Sequence, residues 1–216
     1  MNTIETGPAD AAARIVLAHG AGAPMDSPFM ENISELLAER ALSVVRFEFG
    51  YMAGRRTGGK KRPAPKAELL MPEYVAAVEN IVARPGCEGQ RLVIGGKSMG
   101  GRVASMVADD MLAKRIVHGL VCLGYPFLAM GKPDAVPRIE HLKALRCPTL
   151  IVQGERDPFG PKAVVEGYPL SRAISFHWVG DGDHDLGPRG GSGFTRRGNL
   201  EASADAVAAF AESLGA

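Results

Sequence analysis

Apolar residues in this chain fall into short solid runs set between longer amphipathic stretches. The runs at 14–18, 42–49, 91–95, 116–123, 147–152 and 173–179 are rich in Ile, Val, Leu and Phe and too short for core helices, so they read as buried strands. The stretches between them carry a helical period. Residues 28–40 put Phe29, Ile33, Leu36 and Leu37 on one face, with Pro28 suited to the first position and Glu31 to the first turn. A helix opened by Pro72 would bury Tyr74, Val78 and Ile81, and another follows over 99–112. A last helix, capped by Asn199, would bury Leu200, Val207, Phe210 and Leu214. Strand and helix alternate throughout, which predicts an α/β fold: a three-layer αβα sandwich with a mostly parallel sheet of about six strands. No repeat or linker divides the chain, so residues 1–216 are expected to form one domain. Residues 50–66 and 187–198 read as irregular loops. Only about two dozen residues separate the strands at 116–123 and 147–152, too few for a multi-helix lid.

Chemistry enters at Gly96-Lys97-Ser98-Met99-Gly100, between a strand and a helix. G-x-S-x-G in that setting is a nucleophile elbow: a tight turn that exposes the serine, with glycines where a Cβ would clash. The helix beginning there aims free N–H groups and partial positive charge at the site, which suits an oxyanion. A serine hydroxyl needs a base, and a base needs an orienting acid. Asp157 follows the strand at 147–152 and His184 follows the strand at 173–179. The candidate order is therefore Ser98, Asp157, His184, with Glu155 and His177 as rival acid and base. Residues just past strand C-termini converge on one edge of a parallel sheet, so the three can meet. Met99, next after the serine, supplies one backbone oxyanion donor, and the second is expected from the loop His19-Gly20-Ala21-Gly22. Tyr125, just past the strand at 116–123, is a candidate for the substrate pocket.

On these residues the chain resembles the α/β-hydrolase superfamily. It is most similar to the small, cap-poor members near the dienelactone-hydrolase branch, including the KANL/Tex-type hydrolase-like group. The matching pieces are His19-Gly20-Ala21-Gly22, the elbow at 96–100, Gly124-Tyr125-Pro126, Gly154-Glu155-Arg156-Asp157-Pro158 and Gly182-Asp183-His184. The resemblance implies that Ala21 is the second oxyanion donor, with Gly22 the nearest alternative, and that His19 braces the loop. Dienelactone hydrolases proper use a cysteine nucleophile, and Ser98 stands at that position, so their specific activity does not carry over.

Composition narrows the remaining classes. The formal net charge of +1 gives no general case for nucleic acid. Basic residues cluster at Arg55, Arg56, Lys60, Lys61, Arg62 and Lys66, without an acid among them, so the loop either is simply solvated or draws an anionic substrate. The three cysteines are odd in number and irregularly spaced, which suits a reducing compartment rather than a disulfide framework. No apolar run reaches the ~20 residues that span a bilayer, and no signal segment is evident. Gly96-Lys97-Ser98 matches the end of a P-loop, but Arg91 stands at its first glycine; Met25 stands at the last glycine position of a dinucleotide fingerprint, and Asp181, Asp183 and Asp185 lack a bidentate Glu at Ser192. Histidines and cysteines show no zinc spacing. The expectation is a cytoplasmic serine hydrolase, monomer or homodimer, without metal or cofactor. It would cleave an ester-type bond of a small acyl substrate, and an anionic one if the basic loop takes part. A thioesterase or peptidase with the same residues, or an interaction scaffold on the same fold, is the alternative.

Overall fold

The structure, a computed structural model, describes residues 2–56, 58, 63–87, 89–129, 131 and 135–215. Its centre is a seven-stranded sheet: β1 (Thr3–Thr6), β2 (Ala13–Ala18), β3 (Ser43–Phe47), β4 (Arg91–Lys97), β5 (Gly119–Leu123), β6 (Thr149–Gly154) and β7 (Ile174–Val179), in the order β1-β3-β2-β4-β5-β6-β7. Six of these match the predicted runs and pair in parallel. The seventh, β1, lies antiparallel against β3 at the sheet edge. Its sequence, Thr-Ile-Glu-Thr, has one large apolar residue and is half exposed, so no hydrophobic run announces it.

Helices cover both faces, as the alternation of side chains along each strand requires. Ile15 and Leu17 of β2 face α1 (Pro28–Ala38) and α6 (Arg196–Ser213), where Ile33, Leu37, Ala204 and Val207 are buried. Val16 and Ala18 face the other way, onto α3 (Ala67–Val82) and α4 (Met99–Ala113), through Tyr74, Val78, Val103 and Ala104. Each Val, Leu or Ile side chain taken fully from water contributes about 1.5–3 kcal/mol. The Tyr74 hydroxyl donates to the Gly95 carbonyl at 2.8 Å and accepts from the Gly95 N–H at 2.9 Å, so the phenol is buried without an orphaned polar atom.

Three local readings change. Residues 50–66 do not stay irregular: α2 (Gly50–Arg56) forms there. It is anchored by Arg56, whose guanidinium bonds Asp26 and buried Glu48 at 2.6 Å each. Pro72 does not open α3. The helix begins at Ala67, because burying Ala67 and Leu70 adds a turn ahead of the proline. The cap of α6 is Thr195, whose Oγ1 accepts from the Gly198 N–H at 3.0 Å. Asn199 lies inside that first turn, and its amide donates to the Gly180 and Leu186 carbonyls. A short helix, α5 (Lys162–Val165), follows β6.

The segment between β5 and β6 holds one 3-10 turn, Glu140–Lys143, and no large cap among the described residues. The strand order reverses between β2 and β4, and the loops leaving those two strands diverge over a crevice at their carboxyl ends. The turn after β4 is closely packed there. A Cβ on Gly96 or on Gly100 would stand 2.5 Å from the Ala18 carbonyl oxygen. Gly100→Ala is therefore expected to lower stability by about 1–3 kcal/mol. Urea unfolding checks this, and an unchanged midpoint would mean that the turn has slack.

Candidate active site

Ser98 begins α4 with φ 52° and ψ −114°, a backbone conformation that costs a non-glycine residue about 1–3 kcal/mol. The strain turns its hydroxyl out of the β4–α4 junction. Asp157 sits three residues past β6 and His184 five past β7, and both reach the same edge. His184 Nε2 lies 2.9 Å from Ser98 Oγ, and His184 Nδ1 lies 2.8 Å from Asp157 Oδ2. The three sequence candidates thus form one hydrogen-bonded chain, with the imidazole partly exposed and the carboxylate fully buried. Glu155 points elsewhere, to Lys162 at 3.0 Å, and His177 stays within β7 opposite Val152.

A buried carboxylate needs donors on all sides. Asp157 Oδ2 also receives the Gln153 amide at 2.9 Å, and Oδ1 receives the Phe159 N–H at 2.8 Å. Gln153 is wholly buried and also accepts the Tyr125 N–H at 2.7 Å, which ties the acid to the loop after β5. Phe159 packs its ring 4.3 Å from that of His184. Sequence reading missed both residues. A glutamine closing an otherwise apolar strand was the one available signal.

The loop after β2 is built around His19. The Phe49 N–H donates to its Nε2 at 3.1 Å, which leaves the proton on Nδ1 to donate to the Gly20 carbonyl at 2.7 Å. Burial holds this imidazole below the usual 6.5 and keeps it neutral. The Tyr51 hydroxyl adds a bond to the Ala21 carbonyl at 3.1 Å. Ala21 then lines the same cleft as Ser98 and Met99, while Gly22 does not. The N–H of Met99, first residue of α4, has no acceptor within its helix.

This cleft, about 470 Å³ and open to solvent, is walled by Lys66, Glu68, Arg102, Pro126, Arg138 and Phe159 among others. Tyr125 does not line it, contrary to expectation. Its side chain is fully buried, and the hydroxyl donates to the Arg138 carbonyl at 3.0 Å; Gly124 turns the chain so that Pro126 reaches the cleft instead. The basic loop also contributes differently from its reading. Arg56 is neutralised by Asp26 and Glu48, and Arg55 lies over the Tyr51 ring. Lys60, Lys61 and Arg62 lie outside the described residues, and among the described members of the cluster it is Lys66 that borders the cleft. Asp181 is paired with Arg156 and Arg189, and Asp183 with backbone N–H groups of its own loop. Among the described residues no group of side chains could hold a metal ion.

The match to known proteins follows the same lines. The profile of the alpha/beta hydrolase domain family matches residues 11–212. The chain belongs to this family. Its fold is similar to that of a dienelactone hydrolase from Anabaena variabilis, with a TM-score of 0.73 and 20% identity over 98% of this chain and 91% of that one. It is also similar to Est1E from Butyrivibrio proteoclasticus, solved with ferulic acid bound, at 0.66 and 16% over 97% and 93%. A third likeness is to XC6422 from Xanthomonas campestris, a serine hydrolase without a lid, at 0.58 and 16% over 85% and 80%. Among the described residues of this alpha/beta hydrolase family member, no helix is long and apolar enough to cross a membrane.

Proposed function

We propose that this protein is a serine hydrolase that cleaves an ester-type acyl bond. The observation that carries the reading is the bonded chain Ser98–His184–Asp157 at the mouth of an open cleft. In this mechanism His184 Nε2 takes the Ser98 proton as Oγ attacks the carbonyl carbon. Asp157 holds the Nδ1–H tautomer and stabilises the imidazolium. The N–H groups of Met99 and Ala21 receive the oxyanion, and losing one such donor typically costs about 10²–10³ in rate. The imidazolium protonates the departing alcohol, and water then releases the acyl group from Ser98 by the same steps. The test is labelling with a fluorophosphonate, read by intact mass. The wild type should gain one adduct and folded Ser98→Ala none; an unlabelled, folded wild type would overturn the mechanism. A panel of esters, thioesters and amides then separates the ester reading from its thioesterase and peptidase alternatives.

The same proposal extends to an anionic substrate. Among the described residues, Lys66, Arg102 and Arg138 on the cleft wall outnumber one acid, Glu68. Glu68 takes a single nitrogen of Arg102 at 2.7 Å, and Arg102 Nε has no partner among the described residues. An ester with a carboxylate on its acyl side should therefore show a higher kcat/KM than its neutral counterpart. The advantage should shrink as salt rises towards ~0.1 M, where screening acts over roughly 10 Å. Equal salt responses for the two esters would overturn the anionic preference and leave the hydrolase reading standing.

A further inference from the structure

Lys97 occupies the variable position just before the serine, and its side chain goes inward rather than to solvent. It retains only 8% of its side-chain exposure. Its ammonium donates to the His184 carbonyl oxygen at 2.5 Å, lies 3.2 Å from Asp185 Oδ1, and stands 5.1 Å from the centre of the Phe29 ring. Burying a lysine costs several kcal/mol unless partners replace its water, so a position with no task would not favour one.

Resting on the serine-hydrolase reading above, we propose that Lys97 is a positioning residue: its ammonium, bound to the His184 peptide carbonyl, sets where the imidazole stands between Ser98 and Asp157. The connectivity supports this. The loop bearing His184 is tied to β6 through the Arg156 N–H on the Gly182 carbonyl, and to α6 through Asn199 on the Leu186 carbonyl. Among the described residues, its link to the elbow strand is Lys97, apart from the His184–Ser98 bond itself. Lysine and serine are adjacent in the chain, so a short path, covalent as far as the ammonium and closed by one hydrogen bond, connects the nucleophile to the backbone of its base. A misplacement of about 1 Å in such a pair can cost on the order of 10² in rate.

The charges facing the ammonium are Asp185, in contact, and Asp157 and Asp183 farther off. They oppose the effect of burial, which dominates and makes the proton easier to lose than from an ordinary lysine. The wild-type kcat should accordingly fall on the alkaline side before the ordinary lysine value of 10.5 is reached.

Lys97→Met keeps the length and removes the charge. It should lower kcat about ten- to a hundredfold with KM near that of the wild type, and it should abolish the alkaline fall. In Lys97→Ala, propylammonium should restore part of the activity and propanol should not. A folded Lys97→Met with wild-type kcat and pH profile overturns the proposal, as does equal rescue by the alcohol. Should neither variant fold, the wild type decides, and a kcat that stays flat up to the lysine range overturns it. A wild type that takes no fluorophosphonate at Ser98 would instead strike the hydrolase reading itself.

Discussion

Asn in place of Asp157 is expected to lower kcat by about 10⁴. The carboxylate stands among three donors: the Phe159 N–H at one oxygen, and the Gln153 amide with His184 Nδ1 at the other. An asparagine amide turns its NH₂ towards one side or the other. Towards Phe159 it meets a backbone donor; towards His184 it forces the imidazole proton to Nε2, where the ring can no longer take the Ser98 proton. Either way a buried donor goes unpaired, at about 1–3 kcal/mol. The loss of turnover should therefore far exceed the loss of stability, as kcat beside a urea midpoint would show. Near-normal turnover would remove Asp157 from the mechanism.

Removing the imidazole of His19 acts from the other side of the crevice. His19→Ala leaves the Phe49 N–H without its acceptor and opens a void under the loop that carries Ala21. The combined cost is about 2–5 kcal/mol. Turnover should fall on the order of 10² as the oxyanion donor drifts. The variant should also alter the response to acid. Burial depresses the folded-state pKa of His19 below 6.5, with Arg55 and Arg56 acting in the same direction and Glu48 against. The stability attached to His19 is thus fully present above 6.5 and is lost as pH falls through the folded value. His141 and His177 are depressed too and share that sign, so the slope should lessen in the variant rather than vanish. Urea midpoints above and below pH 6.5 give the comparison, and equal slopes in the two proteins would place the acid sensitivity elsewhere.

What could be read in the chain, and what could not, divides by how locally each feature is encoded. Strands β2 to β6 were legible because both their faces are buried and their sequences are nearly continuous apolar runs. Strand β7, half-buried at the sheet edge, still carries Ile174, Phe176 and Val179. The elbow was legible because Gly96 and Gly100 are sterically required within one turn. Strand β1 and helix α2 were not, since they owe their existence to specific partners outside the element: β3 for the first, and distant Asp26 with nearby Glu48 for the second. At the site, Ser98, Asp157 and His184 stand in loops whose positions follow from strand order, and the structure brings them together. Tyr125 was misread because a chain reversal at Gly124 decides which of two neighbours faces the cleft, and periodicity ends before it. Lys97, Gln153, Arg102 and Arg138 escaped notice for a common reason. Each is a polar residue whose meaning depends on one contact or one wall, and hydropathy assigns such residues to solvent.

The cleft wall and the bonded chain beneath it come from different parts of the polypeptide. Ser98, Asp157 and His184 hang from the ends of β4, β6 and β7, whereas much of the wall is residues 64–68, ahead of and within the first turn of α3, with Pro126 and Arg138 from the segment after β5. Under the proposed mechanism, bond-breaking and choice of substrate are thus separable in inheritance. Substitutions confined to the wall can retune what enters without disturbing the geometry that acts on it, and a library limited to residues 64–68, 126 and 138 explores new specificities from a fixed chemical engine.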